Sequence, residues 1–202
     1  MLKIYHAPRT RGIRVIWLCE ELGIPLEVER IDFSAQWRAR PEWRAISPVG
    51  KVPVLFDGDI KLLESCAMID YILERYGDGA LQPSEDPQAR ADFYHWHWFA
   101  EATFARPLGE IVNHAREFPG DAGIPEVVAE MKRRAGLAAD AVAARMQGRE
   151  YLVEDQFTAA DISMGYSLSI MEQLAPEYFP DTLQPYWQRL SGRPAFQRAL
   201  QA

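Results

Sequence analysis

The spacing of apolar residues predicts strands and helices in the first part of the chain and helices alone in the second. Residues 2–5 alternate as a short strand does, and residues 26–31 form a second strand-like run. Between them lies a helical pattern that Gly23 and Pro25 end, because glycine suits a left-handed cap and proline cannot continue a helix. The predicted buried face of this helix contains Val15, Leu18, Cys19 and Leu22.

Two further apolar runs turn at Asp57-Gly58 and lead into a helix over residues 64–76. An irregular stretch that contains Trp37, Arg38, Arg40, Trp43 and Arg44 comes before them. The order of elements is therefore β-α-β-α-β-β-α. A linker rich in glycine, proline and acidic residues follows, and it predicts domains at 1–77 and 87–202 with the linker at 78–86.

Every long pattern after the linker is helical. Asp86-Pro87 is typical of a helix start, and Pro107 is expected to kink the long helix that begins there. Pro125 opens a second helix. Thr158 and Asp161 have the spacing of a capping box at the start of a further one. The second domain is therefore predicted to be an all-helical bundle.

Pro53 interrupts the first of the two apolar runs, and a proline cannot donate a hydrogen bond to a strand ladder. Gly50 lets the backbone bend sharply just before it. Val52 is thus left with a backbone N–H and C=O that the sheet does not need. An extended peptide could pair with them by strand addition.

Glu64 and Ser65 lie where the last apolar run changes to helical spacing. The unpaired N–H groups of a helix start favour an anion, and Glu64 would attract an amine. Together these groups form a receptor for a free amino-acid head. The predicted ligand is a short peptide with a free α-amino-acid end.

These residues resemble the glutathione site of cytosolic glutathione transferases, in the form Pro48-x-Gly50-Lys51-Val52-Pro53-x-Leu55 followed by Glu64-Ser65. In that family the proline is cis, the residue before it pairs with the cysteinyl backbone of glutathione, and the Glu-Ser pair holds the γ-glutamyl head. The resemblance implies glutathione as co-substrate. The glutathione-binding residues it implies are Lys51, Val52, Pro53, Glu64 and Ser65.

The resemblance extends over nearly the whole chain, through Tyr151-Leu152-Val153, the capping box and Arg193-Pro194-Ala195-Phe196. It implies an α/β thioredoxin-like N-terminal domain and an all-α C-terminal helical bundle. Glu154 departs from the family pattern, because many relatives have glycine there. The local turn at this position is left open.

Catalysis would require activation of the glutathione thiol, since a free thiol has a pKa of about 8.5. The stretch Arg9-Thr10-Arg11 lies at the end of the first strand, where the family places its catalytic tyrosine, serine or cysteine. Thr10 is the hydroxyl that remains there, unless it only caps the helix. In another register of the serine-type subgroups the position falls on Arg9, and backbone N–H groups with Arg9 or Arg11 would stabilise the thiolate.

The family places the second substrate between the two domains, against the first long helix of the helical domain. The residues expected to line that pocket are aromatic or large and lie on that helix, although helical aromatic residues more often belong to a core. They are Tyr94, His97, Trp98 and Phe104. The cation that would meet the glycyl carboxylate is not resolved among Lys51 and the arginines around Trp37 and Trp43. Arg9, Arg11 and Arg14 otherwise predict a solvated cationic rim.

Composition narrows the class of protein further. The net charge of −7 argues against a nucleic-acid partner, and two cysteines in helical patterns argue for a reducing compartment. No signal-like or membrane-spanning run is evident, so a cytoplasmic protein without a membrane partner is expected. The histidines lack metal-ligand spacing, and no metal is predicted.

The resulting hypothesis is a detoxification enzyme that conjugates glutathione to small hydrophobic electrophiles. The family resemblance also implies a homodimer, packed through the helices after Glu64 and Pro87. Two alternatives remain open at this point. One is another glutathione-dependent enzyme, such as an isomerase, reductive dehalogenase or peroxidase, and the other is a non-catalytic binding protein with the same fold.

Overall fold

The computed structural model describes residues 1–202. The elements before residue 82 are β1 (Leu2–His6), α1 (Gly12–Leu22), β2 (Leu26–Arg30), α2 (Ala35–Arg38), α3 (Pro41–Ile46), β3 (Val54–Asp57), β4 (Ile60–Leu62) and α4 (Ser65–Tyr76). The later helices are α5 (Pro87–Trp98), a π-helical segment (Phe99–Ala105), α6 (Arg106–Glu117), α7 (Pro125–Arg145), α8 (Ala159–Leu174), α9 (Gln184–Ser191) and α10 (Pro194–Leu200). Short 3-10 turns lie at Gly120–Ala122, Pro176–Tyr178 and Asp181–Leu183.

The four strands form one mixed sheet in the order β2-β1-β3-β4. β1 is parallel to β2 and antiparallel to β3, and β4 is antiparallel to β3. The hairpin turns at Gly58, which has a φ of 58°. Together with the interleaved helices, this sheet confirms the expected thioredoxin-like α/β domain, and the later elements confirm the expected helical region.

Helix α1 ends as its sequence predicts. Gly23 adopts a φ of 65° and donates its N–H to the carbonyl of Cys19. The predicted face is buried at Val15, Leu18 and Cys19, with less than 3% of each side chain exposed. Because α1 begins six residues after the end of β1, the Arg9–Arg11 stretch lies in the short connection between this strand and this helix.

The stretch before β3 is more ordered than the expected irregular segment. Ser34 caps the short helix α2 by accepting a hydrogen bond from the N–H of Trp37, and Pro41 opens α3. The rings of Trp37 and Trp43 lie 4.7 Å apart and belong to an apolar cluster with Tyr5. Trp43 is therefore a core residue, and Trp37 is half-buried against it.

The chain divides into two compact units, one of residues 1–81 with 192–202 and one of residues 82–191. Helix α10 belongs to the first unit, where the rings of Trp17 and Phe196 are 4.6 Å apart. Arg193 donates two hydrogen bonds to Glu21, at 2.6 and 2.8 Å. The division at 87–202 drawn from the sequence did not separate this last helix from the bundle.

The long helix of the second unit changes character at the π-helical segment. Pro107 has no N–H for a helical hydrogen bond, so the turn before it cannot continue as a regular α-helix. Ser167 of α8 donates its hydroxyl to the carbonyl of Ala100 at 2.7 Å. The predicted interruption is thus a widened segment, and a serine of a neighbouring helix donates a hydrogen bond to it.

Helix α8 runs through the interior of the second unit, and its start is the predicted capping box. Asp161 is completely buried and accepts hydrogen bonds from Thr158 N and Oγ1, from Leu152 N and from Tyr186 Oη, at 2.8 to 3.1 Å. Burial raises the pKa of this carboxyl against the effect of these donors. Asp161 therefore joins the helix start to two other segments of the unit.

Replacing Asp161 with alanine should destabilise the protein by about 3–5 kcal/mol, because buried donors lose their acceptor. Thr158→Ala removes the cap and one of the four hydrogen bonds to Asp161, and it should cost about 1–2 kcal/mol. Urea unfolding followed by circular dichroism measures both values. Equal losses in the two variants would contradict the role given to Asp161.

Candidate functional site

Three segments with candidate site residues meet at one end of the sheet. Tyr5 pairs with Val54 in the antiparallel register of β1 and β3, and Leu55 pairs with Leu62 across β3 and β4. The residues after β1, those before β3 and those after β4 therefore lie at the same end. The sheet alone brings the Arg9–Arg11 stretch, Val52-Pro53 and Glu64-Ser65 to one region of the first unit.

The loop before β3 is held by its own hydrogen bonds. The buried Ser47 hydroxyl donates to the Lys51 carbonyl at 2.8 Å and accepts from the Lys51 N–H at 2.9 Å. Arg44 donates to the Pro48 carbonyl at 2.8 Å. Gly50 has a φ of 66°, and a Cβ there would lie 2.9 Å from the Arg44 guanidinium carbon. Glycine is therefore required at this turn.

This loop presents Val52 with unsatisfied backbone groups. The Val52–Pro53 peptide bond is cis, as the family resemblance implies. Neither the N–H nor the C=O of Val52 has a hydrogen-bond partner within the chain. Buried backbone groups are nearly always paired, so this pair of groups is available to an extended ligand.

Glu64 and Ser65 open helix α4. Glu64 is exposed and has a φ of 70°, a strained conformation for a residue other than glycine that occurs most often at ligand sites. No side chain caps the helix. Ser65 is 3% exposed, and its hydroxyl oxygen accepts a hydrogen bond from Arg14 Nη1 at 3.2 Å. A carboxylate, a hydroxyl and an uncapped helix start are therefore adjacent, as predicted.

Arg14 is not part of a solvated rim. Its side chain is completely buried, whereas Arg9 is exposed and Arg11 is intermediate. The expectation for Arg14 was wrong, because the residue lies on the inner side of α1 and reaches α4. The sequence contained one signal for this: Arg14 stands within the buried apolar run Ile13–Cys19 of a helix.

Thr10 does not cap helix α1, whose N-cap is Arg11 without a side-chain hydrogen bond. The Thr10 hydroxyl donates to the carbonyl of Ala7 at 2.7 Å and lies 3.4 Å from His6 Nδ1. Because a hydroxyl has one proton, the one on Thr10 points to the backbone in this structure. The role of Thr10, Arg9 and Arg11 in catalysis stays a prediction.

His6 was not predicted from the sequence as a site residue, and its Nδ1 lies 3.4 Å from the Thr10 hydroxyl. It is completely buried, and its Nε2 has no hydrogen-bond partner. Burial lowers the pKa of His6 to about 4, with a smaller effect from the charge of Arg30. His6 is thus neutral at physiological pH and forms an uncharged support for the end of β1.

The predicted second-substrate residues fall into two groups within the helical unit. Tyr94 and Trp98 have 49% and 44% of their surface exposed, and His97 and Phe104 are completely buried. His97 Nδ1 lies 2.9 Å from the hydroxyl of Ser163, which fixes its ring in the interior. The assignment of these four residues to a substrate pocket stays a prediction. Because His97 and Phe104 are buried, they could only support the two exposed side chains from the interior.

The helical unit also contains a cavity of about 880 Å³ that the sequence did not indicate. It lies between the π-helical segment with α6 on one side and α7 on the other. Apolar side chains such as Phe99, Met131 and Leu137 line it, with the charged Arg106 and Glu110. None of the four predicted pocket residues lines this cavity.

The candidates for the glycyl carboxylate also differ in their surroundings. Lys51 is exposed beside Val52. Arg44 donates to the loop carbonyl of Pro48, and the Arg38 guanidinium lies 5.0 Å from the ring centre of Phe33. Lys51 and Arg40 are therefore the two candidates without a side-chain contact inside the chain.

Three other features bear on chemistry. Cys19 and Cys66 are buried and form no disulfide, and burial raises the pKa of Cys19 to about 12. No three His, Cys, Asp or Glu side chains are grouped as metal ligands. No helix combines the length and the apolar character needed to cross a bilayer.

Comparisons with known proteins agree with this geometry. Residues 1–74 match the family model described as the N-terminal domain of glutathione S-transferase. The chain is 28% identical over 211 residues to Glutathione S-transferase 3 of Schizosaccharomyces pombe, which covers 96% of this chain and 85% of the relative. It is 26% identical over 208 residues to Glutathione S-transferase 3 of Zea mays, with 100% and 94% covered.

Solved structures extend the likeness to the whole chain. The theta class glutathione S-transferase of Xanthomonas axonopodis pv. citri, solved with glutathione bound, superposes with a TM-score of 0.84 at 26% identity, covering 100% of this chain and 97% of that one. A glutathione transferase of Phanerochaete chrysosporium with oxidized glutathione has a TM-score of 0.86 at 21% identity, with 99% and 93% covered; at this identity the likeness concerns the fold. Residues 1–74 thus match the N-terminal domain family of glutathione S-transferases, and the whole chain is similar to glutathione transferases in sequence and fold.

The environment of His6 makes stability depend on pH. Because its pKa is about 4 in the folded protein and about 6.5 when exposed, the unfolded chain binds the proton more readily. The His6 contribution is complete above pH 6.5 and is lost as the pH falls towards 4. At pH 5 the loss should be about 2 kcal/mol.

Denaturant unfolding of the protein and of His6→Asn between pH 4 and 7.5 measures this contribution. The difference in the free energy of unfolding between the two proteins should change over this pH range. The variant retains the contribution of Asp70, whose pKa burial raises to about 6, so subtraction removes that effect. A difference independent of pH would show that the pKa of His6 is the same in the folded and the unfolded protein, and would contradict this effect of burial.

Proposed function

We propose that this protein is a glutathione transferase that binds glutathione at the end of its sheet and directs the thiolate at small hydrophobic electrophiles. The observation that carries this proposal is Val52, whose unpaired backbone groups stand at the same sheet end as the uncapped start of α4. A tripeptide could pair its cysteinyl backbone with Val52. Its γ-glutamyl head would then meet Glu64 and Ser65, and Lys51 is the cation proposed for its glycyl carboxylate.

The chemical task of the site is to hold the thiol of glutathione as a thiolate. Lowering its pKa by two units from about 8.5 requires about 2.7 kcal/mol of preferential stabilisation. The uncapped start of α1, the cations of Arg9 and Arg11 and the hydroxyl of Thr10 are the groups proposed to supply it. For Thr10 to contribute, its proton must turn from the Ala7 carbonyl towards sulfur.

The thiolate then attacks an electrophilic carbon. A carbon–sulfur bond forms, and either a leaving group departs with its electron pair or an activated double bond accepts the electrons and a proton. Holding both reactants in one site supplies much of the rate. Tyr94 and Trp98 are proposed as exposed apolar contacts for the electrophile, with His97 and Phe104 supporting them from the interior.

Three further properties are proposed from the similarity to glutathione transferases. The protein acts in detoxification, it is located in the cytoplasm, and it forms a homodimer through the helices that begin after Glu64 and Pro87. Size-exclusion chromatography with light scattering tests the dimer. Each of these can fail without affecting the glutathione site.

Glutathione should bind with a dissociation constant below the millimolar range, as measured by isothermal titration calorimetry. Glu64→Gln should weaken binding about fivefold, because an ion pair with the ligand amine is worth about 1 kcal/mol at an exposed site. Asp59→Asn is the matched control, since it removes an exposed carboxylate at the other end of β4. Absence of binding by the unmodified protein would refute the proposal.

The pKa of the bound glutathione thiol, followed by the ultraviolet absorbance of the thiolate, should lie below 8.5. Thr10→Ala should raise it by about one unit, equivalent to about 1.4 kcal/mol, whereas Thr10→Ser should retain it. If the thiol pKa rises in Arg9→Gln or Arg11→Gln and not in Thr10→Ala, the arginines rather than Thr10 stabilise the thiolate. An unshifted pKa in the unmodified protein would instead favour a binding protein without catalysis.

A further inference from the structure

Arg14 and Ser65 form a buried polar contact between two helices of the first unit. Arg14 Nη1 in α1 donates to Ser65 Oγ at the start of α4, over 3.2 Å. Arg14 is completely buried, and 3% of Ser65 is exposed. A charged side chain is seldom buried to this extent, so its contact at the candidate ligand site calls for an explanation.

The direction of this hydrogen bond determines where the proton of Ser65 can point. A guanidinium group has donors and no acceptor, so the Ser65 oxygen must be the acceptor. The hydroxyl of Ser65 can then donate only to a different atom. No acceptor for it is present within the chain.

Ser65 also leaves the first turn of its own helix without a cap, because it is the first residue of α4 and Glu64 holds the N-cap position. Serine at a helix start often uses its oxygen to cap a free N–H group of the first turn. In α4 no side chain makes such a cap, and the Ser65 oxygen is engaged by Arg14. Both the hydroxyl proton and the backbone N–H of Ser65 are left for an external acceptor.

We propose that Arg14 is a positioning residue that selects ligands carrying a free α-carboxylate. It holds the Ser65 hydroxyl so that its proton faces the carboxylate of the γ-glutamyl group. This inference rests on the proposed glutathione site. The preference for the γ-glutamyl carboxylate then depends on a buried residue of α1, and this residue need not contact glutathione.

Arginine is suited to this role in two ways. A guanidinium group carries donors only, so the Ser65 oxygen cannot reverse its role as acceptor. Its planar group also donates in a fixed direction, whereas a lysine ammonium rotates. Lysine at this position should therefore preserve the charge and only part of the orientation.

The test compares glutathione with 4-aminobutanoyl-cysteinylglycine, which keeps the amine and lacks only the α-carboxylate. Calorimetry gives the ratio of the two dissociation constants for each protein. Arg14→Met should weaken glutathione binding about tenfold, which is about 1.4 kcal/mol, and leave the binding of the analogue unchanged. Arg14→Lys should give an intermediate ratio. The pKa of the bound thiol should not change, because the carboxylate is remote from sulfur.

Ser65→Ala and the double variant Arg14→Met/Ser65→Ala complete the comparison. If Arg14 acts through Ser65, the double variant should lose no more affinity for glutathione than Ser65→Ala alone. Equal weakening of both ligands by Arg14→Met would indicate a general structural role and overturn the inference. An unchanged ratio would do the same.

Thermal unfolding shows whether each variant is folded at the temperature of the binding measurement. If Arg14→Met is unfolded, Arg14→Lys provides the test, because this variant keeps the buried charge. In that case, a ratio of dissociation constants equal to that of the unmodified protein overturns the inference. Failure of the unmodified protein to bind glutathione would refute the proposed function and this inference together. An unchanged ratio in the variants would refute this inference alone.

Discussion

The antiparallel register of β1 and β3 is the constraint on which the functional site depends. It places the end of β1, the residues before β3 and the residues after β4 at one end of the sheet. Each segment then supplies a different kind of group: cations and a hydroxyl after β1, an unpaired backbone before β3, and a carboxylate with an open helix start after β4. A slip of one residue would turn the inward side chains of β3 to the opposite face and dismantle this arrangement.

The site must leave polar groups unpaired and still remain rigid, and buried hydrogen bonds satisfy both demands. Ser47 holds both backbone groups of Lys51, so that the next residue, Val52, is presented without pairing of its own. Arg14 has a similar function at the second contact point, where it engages the Ser65 oxygen and leaves the helix start open. In both cases a buried side chain fixes the segment that carries an unpaired polar group. Ligand specificity is thus prepared in residues that need not contact the ligand.

Local signals made much of the fold predictable. The Gly23 cap, the Asp57-Gly58 turn and the box of Thr158 and Asp161 depend on neighbours in sequence, and all three were correctly identified. The unpaired backbone of Val52 and the open helix start at Glu64 and Ser65 could be predicted because Pro53 and the helix start limit the hydrogen bonds formed there, and their role in binding stays a prediction. Arg14 was missed because a lone arginine is normally solvated, and its burial follows from the packing of α1 on α4. The support of Thr10 by His6, and the place of α10, likewise depend on contacts between segments distant in the chain.

Helix α10 covers Trp17 from the far end of the chain, although both belong to the unit that contains the site. During synthesis the sheet and its first helices leave the ribosome long before residues 194–200 exist. Until then Trp17 has no Phe196 to contact, and Glu21 has no Arg193. The thioredoxin-like unit can therefore reach its final packing only after the whole bundle has been translated. Maturation of the two units is coupled through chain order, and a ribosome stalled in the bundle would hold an incomplete ligand-binding unit.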